Sequence, residues 1–379
     1  MNENLIINAV PCTTWNWLKM NKDFVTLNAS FREIKANIDS LPEGVTISSL
    51  KDSKNDFPKV FSGICNIATP KSKDNRKADG SYIEKSELSD KDYSLQENHP
   101  VQKIINDFSK ETELITIKGK VEKPLILSFN FETSSVATQF IHATENSEST
   151  IILVFKGNSE TSLVQTKIIT EENAKIHIVK VQLMEENSML LDDTGFTCSD
   201  NSKANFTQIE LGGNHNNSGL HVTLNGYQSK FVSNVAYLCS KNQHLDMNHI
   251  VNHYGKKSEC VMKVNGTLKD ESVKTYRGTI DFKNGCCGSK GNEMEESLVL
   301  SPKVINKSLP NILCDEEDVE GEHGATIGRL SSDILFYMQS RGISESEAEK
   351  LMSIAKIQAA ADLIPDDNVK NLILDFLDK

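Results

Sequence analysis

At 379 residues, with 25% charged and 38% hydrophobic positions, the chain has ordinary globular composition and room for two or three domains or one elongated body with caps. Its formal net charge of −12 argues against a nucleic-acid binder, which needs a basic face to displace counterions, and against an anionic membrane surface as partner. Aromatic residues are only 6%, so a core must lean on Val, Ile and Leu.

No run of about 18 apolar residues occurs, so no helix is expected to span a bilayer. The start, Met1-Asn2-Glu3-Asn4-Leu5-Ile6-Ile7, lacks a basic stretch and does not read as a secretory signal. The eight cysteines are Cys12, Cys65, Cys198, Cys239, Cys260, Cys286, Cys287 and Cys314, with no CxxC pair among them. Reduced thiols and a cytoplasmic location are the expectation.

Residues 1–68 read as helical with irregular joints. Trp15, Trp17 and Leu18 suit one face of a short helix, and Phe31, Ile34, Ile38 and Leu41 follow helical spacing up to the stop at Pro42-Glu43-Gly44. Residues 69–99 are polar with few apolar anchors and read as a linker. With a short helix from Val101 to Phe108 after Pro100, this makes residues 1–110 an N-terminal helical region.

From Glu113 the texture changes to short alternating apolar runs cut by polar turns. Ile151–Phe155, Lys175–Val181 and Cys260–Val264 each read as a strand. Turns fall near Ser159, Glu172, Glu186, Asn201, Asn214, Tyr227, Asn242, Lys256, Asp270 and Gly285, about every 13 to 15 residues. Two such units complete one coil of a parallel β-helix. An antiparallel sandwich or barrel also has regular short strands, usually at closer spacing. The pattern favours the β-helix, over residues 111–330.

Residues 331–379 read as helical. Ser331 or Ser332 can cap a helix from Asp333 to Arg341, stopped by Gly342. Ser344 and Glu347 form a capping box ahead of an apolar stripe of Ala348, Leu351, Met352, Ala355 and Ala359. Pro365 interrupts, and a last helix places Val369, Leu372, Ile373, Phe376 and Leu377 on one side. The tail suits either a cap over an end coil or a docking surface.

Chemical motifs are sparse. There is no GxxxxGK[ST], no strand-anchored GxGxxG, no GxSxG and no HExxH. His244, His249 and His253 cluster, with the last two on one strand face, but no further ligand completes a metal set there. Cys286-Cys287 is a vicinal pair in a turn. His323 follows the acidic run Asp315-Glu316-Glu317-Asp318 and precedes Gly324, with Cys314 nine positions upstream. As a lone histidine it is open to a structural or a functional reading.

Residues 244–343 resemble the SufB/SufD family of iron–sulfur cluster assembly proteins. The resemblance rests on His244-Leu245-Asp246 with His253, on Tyr276-Arg277-Gly278, and on Val319 with His323-Gly324-Ala325-Thr326. Leu335-Phe336-Tyr337 and Ser340-Arg341-Gly342-Ile343 complete it. Gly324 after the histidine, and Glu295 where the SufB type has a cysteine, make the chain resemble the SufD type. Gly321 stands where some relatives of that type have a cysteine.

The resemblance implies a right-handed parallel β-helix flanked by helical regions, acting as a non-catalytic scaffold subunit. It implies pairing with SufB and a SufC ATPase bound at the C-terminal helices, and leaves open a homodimer where SufB is absent. By the same resemblance His323, with Cys314 as a further candidate, would hold iron or a nascent iron–sulfur cluster at the SufB interface. Phe336, Tyr337, Arg341 and Gly342 would belong to the region SufC grips. Two rival readings are a sulfur-accepting scaffold of the SufB type and a β-helix carbohydrate-active enzyme using paired carboxylates.

Overall fold

The computed structural model describes residues 4–12, 18–27, 30–53, 56–66 and 95–378. Strands β5 (Glu113–Ile117) to β20 (Val319–Gly328) wind into a parallel β-solenoid of about eight turns. Even-numbered strands stack in one sheet from β6 (Leu125–Phe131) to β20. Odd-numbered strands stack in the other from β5 to β19 (Ile305–Cys314). Lys175 of β10 (Lys175–Met184) pairs with Lys203 of β12 (Lys203–Gly212), so one coil takes two strands and two turns. The antiparallel sandwich is excluded, because every strand pair from β5 to β20 is parallel.

The turns explain the regular spacing. Asn146, Asn173, Asn201, Gln228 and Lys257 occupy equivalent corners of successive coils, all with φ between +54° and +58°. Short polar side chains tolerate this left-handed conformation best. The corner stacks on itself: Asn173 Nδ2 donates to Asn146 Oδ1 at 3.2 Å. Asn225-Gly226 and Asn284-Gly285, which look like hairpin signals, are corners between the two sheets.

Alternation along each strand fills the interior. Ile141, Phe155, Ile178, Phe196, Phe206, Phe231 and Phe282 form one apolar column through the coils. Polar groups are buried beside it. Lys180 pairs with Asp192 and donates to Thr194 at 2.7 Å, while Lys274 pairs with Glu295. Burial pushes the Glu210 and Glu293 carboxyls up to about 8, because desolvation disfavours the carboxylate.

The N-terminal segment departs from the helical expectation. Its described part holds β1 (Asn4–Ile7), β2 (Asp23–Thr26), β3 (Arg32–Glu33), β4 (Val45–Ser49) and a single 3-10 turn at Leu50–Asp52. The Phe31-Ile34-Ile38-Leu41 spacing is not a helix: β3 pairs with β7 (Ser135–Ala143), Asn37 bridges Ser128, and Leu41 is exposed. The first coils present unpaired backbone groups, and this stretch satisfies them. Ile34 N donates to Val136 O at 2.9 Å, and Asn37 N to Ser128 O at 2.8 Å. β4 closes the same end by pairing antiparallel with β5. Trp15 and Trp17, and the linker from 69 to 94, lie outside the described residues. The short helix α1 (Pro100–Phe108) forms as expected, with His99 Nδ1 accepting from Val101 N at 3.2 Å.

The C-terminal helices are α2 (Ser332–Ser340), α3 (Glu345–Ala361) and α4 (Asp367–Leu377). Ser331 caps α2, Gly342 ends it at φ +83°, and the Ser344–Glu347 capping box opens α3. The tail does not cap the last coil. Ile357, Ala360, Ile364, Val369 and Ile373 pack on Val154, Val179, Val181, Ile209 and Leu211, the outer face of the even sheet. That face is apolar as well as the interior, so the helices bury their own apolar side chains against it. Burying each such isoleucine stabilises by roughly 1.5–3 kcal/mol.

Candidate functional site

The two ends of the solenoid therefore differ. β4 and the 31–38 segment cover the first coils, whereas nothing among the described residues covers the last. β20 is exposed along nearly all its length, and β19 is only half-buried. Each strand pairs on one side only: β19 with β17 (Val273–Phe282), β20 with β18 (Ser289–Val299). Ile305 and Ile327 are exposed there although they carry apolar bulk.

His323 lies in the middle of this open strand, in register with Glu293 of the preceding coil. Its side chain is exposed, and a Cβ added at the neighbouring Gly324 would meet nothing. Carboxylates stand on the opposite face of β20 and in the turn before it. Glu322 accepts from Asn292 Nδ2 at 2.9 Å, Glu320 pairs with Lys290 at 2.8 Å, and Glu316 accepts from Gly285 N at 2.7 Å. An exposed imidazole on a strand with one free edge can bind a cation only in part, since one ring supplies one ligand.

Cys314 is exposed at the far end of β19, and its thiol donates to the Glu316 carbonyl at 3.0 Å. The chain then turns into the other sheet. His323 stands four residues into β20, about 13 Å along the strand at ~3.3 Å per residue. The fold does not bring Cys314 and His323 together. The Cys286-Cys287 pair is also split. Cys286 is buried, while the exposed Cys287 thiol donates to Asp318 at 2.7 Å, and this bond raises its pKa.

The other histidines are dispersed. His249 and His253 share the inward face of β15 (His244–His253), but four residues apart on a strand they cannot share a ligand. His253 bonds Ser258 at 2.7 Å and Cys260 at 3.2 Å. His249 lies edge-on to Tyr276, and burial pulls its pKa down to about 3. His244 stands away from both, beside His215 of the preceding coil.

The Tyr276-Arg277-Gly278 and His244-Leu245-Asp246 motifs turn out to anchor the N-terminal segment. Arg277 is fully buried. Its Nη1 donates to Asp246 Oδ1 at 2.6 Å, and its Nε donates to the Met20 carbonyl. Asn8 Nδ2 donates to the same Asp246 oxygen at 2.8 Å. Gly278 is required by packing: a Cβ there would lie 1.8 Å from a Glu293 carboxylate oxygen.

The candidate docking residues sit on α2, which buries none of its side chains. Phe336 is 74% exposed and Tyr337 59% exposed, and the Arg341 guanidinium stacks over the Tyr337 ring at 5.2 Å. Gly342 turns the chain into α3 with open space around it. Monomeric surfaces seldom expose two large aromatic side chains side by side.

A parallel β-solenoid with one end open and a helical flank is the framework into which the comparisons fit. A family model described as "SUF system FeS cluster assembly, SufBD core domain" matches residues 128–356, more than half of the chain. The chain belongs to the SufBD family of iron–sulfur cluster assembly proteins. Within it the chain is SufD-like. It is 33% identical to the Bacillus subtilis iron-sulfur cluster assembly protein SufD over 34% of this chain and 29% of that protein. With Escherichia coli SufD the identity is 23%, over 61% of this chain and 55% of that one. The B. subtilis SufB is 24% identical over 65% of this chain and 54% of its own length. The aligned regions thus span about a third to a half of these relatives. No helix among the described residues is long and apolar enough to cross a membrane.

Proposed function

We propose that the chain is a SufD-like scaffold subunit that pairs with a SufB-type subunit to build iron–sulfur clusters, without catalysing a reaction alone. The observation that carries this is the uncovered last coil, with two unpaired strand edges and His323 exposed in the middle of one of them. An edge with free N–H and C=O groups is a template for a second sheet. A partner seated there would enclose the His323 imidazole and add the ligands it lacks. Imidazole and thiolate both suit iron, which is here the cargo. The acidic turn at 315–318 would raise the local concentration of the cation.

Cys314 remains the second candidate ligand, reached only through a partner or a change in the turn. A SufC-type ATPase would grip α2 through Phe336, Tyr337 and the Arg341-Gly342 turn, since the chain carries no phosphate-binding loop. In the absence of a SufB-type subunit, the same open coil would take a second copy of this chain. A reducing, cytoplasmic setting suits the eight free cysteines. The sulfur-accepting reading is disfavoured at Glu295, which is buried and bonded to Lys274 and to Ser308 at 2.9 Å.

His323→Ala tests the assignment in cells that depend on this subunit. Cluster maturation is expected to fail while the variant keeps its fold and still co-purifies with its partners. Normal maturation would remove His323 from the role. Loss of the partners themselves in an Ile327→Lys variant would support the open-coil interface, and their retention would refute it.

A further inference from the structure

At the other ends of the odd strands lies a second group of ligating side chains, unrelated to the last coil. His215 opens β13 (His215–Leu224), and His244 opens β15 directly beside it in register. Their rings lie 4.3 Å apart between centroids. Asp23, the first residue of β2, reaches the pair from the N-terminal hairpin, with its Oδ2 at 3.5 Å from His215 Nε2. One ligand atom from each of the three side chains lies within 4.8 Å of the others.

Two further observations separate this group from a chance surface pair. Asp23 Oδ2 and His215 Nε2 are both buried from solvent, and neither has a hydrogen-bond partner. Such orphaned buried polar atoms are uncommon and call for a missing partner. Their 3.5 Å separation exceeds the usual range of about 2.7–3.2 Å for an N–H···O hydrogen bond. It fits two ligands of one ion, because bonds of about 2.0–2.2 Å in a tetrahedral site hold ligand atoms roughly 3.3–3.6 Å apart. A simple ion pair would account for Asp23 with one protonated ring. It leaves unused the second imidazole, tilted against the first at 4.3 Å, which brings a further donor to the same point.

We propose that Asp23, His215 and His244 bind a divalent first-row transition ion, which fastens the β1–β2 hairpin to the side of the solenoid. The donor set of two imidazoles and one carboxylate suits zinc, cobalt, nickel or ferrous ions and disfavours magnesium and calcium, which prefer all-oxygen shells. Three protein ligands leave room for water. The site stands apart from His323 and does not depend on the role proposed for that residue.

Cobalt(II) titrated into the full chain is the probe. One equivalent is expected to bind with visible d–d absorption and without thiolate-to-cobalt charge transfer. His215→Ala and His244→Ala are each expected to weaken it beyond the roughly 10–100-fold that loss of an outer-shell partner causes. Both side chains are partly exposed, so circular dichroism should show both variants folded. Asp23→Asn, which keeps the shape of the side chain, gives the same readout with least risk to the fold. Bound cobalt should also slow protease cleavage within residues 4–27. Unchanged affinity in the variants, binding only through thiolates, equal displacement by magnesium, or no binding at all would each overturn the site.

Discussion

Arg277→Met is the substitution that most directly examines how the N-terminal segment is held. Both Arg277 and Asp246 are almost wholly buried, and among the described residues the guanidinium is the charged partner of the Asp246 carboxylate. Removing it leaves a buried carboxylate with Asn8 Nδ2 as its side-chain donor. Breaking a buried pair in this way costs about 3–5 kcal/mol. The Met20 carbonyl also loses the donor at Nε, a further penalty of about 1–3 kcal/mol if water does not reach it. The loss is local before it is global, because a solenoid is a chain of nearest-neighbour contacts.

Limited proteolysis should therefore show faster cleavage within residues 4–27, and urea unfolding should start earlier in Arg277→Met. The double variant Arg277→Met/Asp246→Leu removes the stranded charge and should recover part of the loss. A single variant within about 0.5 kcal/mol of the parent, the range of ordinary surface changes, would refute the reasoning. So would a double variant as damaged as the sum of two independent losses.

Three other outcomes follow from buried groups and exposed faces. Glu293 has an ordinary carboxyl pKa of 4.5 when unfolded and about 8 when folded, so the native state holds an extra proton between those values and stability falls as pH rises through that window. Glu293→Gln should flatten the decline of the urea midpoint between pH 5.5 and 8.5; an equal decline in both proteins would count against a protonated Glu293. His249 shows the opposite trend: its folded pKa near 3 means stability present above 6.5 is lost as pH falls, and His249→Phe should make the acid transition shallower. Ile373→Ala, at a fully buried contact, should cost about 2–5 kcal/mol and release α4 to proteases, whereas Phe336→Ser should leave stability within about 0.5 kcal/mol and show its effect only in partner capture.

The solenoid was legible in the chain because its signals are local and repeat. Strand alternation, left-handed corners such as Asn173 and Asn201, and the even turn spacing all state the same architecture. The caps at Ser331, Ser344 and Gly342 were equally plain, since each needs only its own few neighbours. The stretch from Phe31 to Leu41 departs from its helical spacing for the complementary reason. Phe31, Ile34 and Ile38 have helical spacing, but the backbone N–H groups of Arg32, Ile34 and Asn37 bond to Ser134, Val136 and Ser128, about a hundred residues away on a coil that must exist first. Local periodicity cannot register an edge waiting to be paired.

The same division runs through the candidate site. His323 stood out in the sequence by its acidic run and glycine. Its accessibility was not legible, because that depends on the tail lying along the flank and leaving the last coil bare. His215 passed unnoticed, although it precedes His244 by one coil repeat and that offset was a usable signal. Asp23 left no such trace. Its approach to the two rings is set by how a short hairpin settles on the solenoid wall, with Leu5, Ile7 and Val25 packed on Leu163 and Leu191. Periodic order is written residue by residue, whereas the meeting of distant segments is a balance of buried area and paired backbone that appears once the chain has closed on itself.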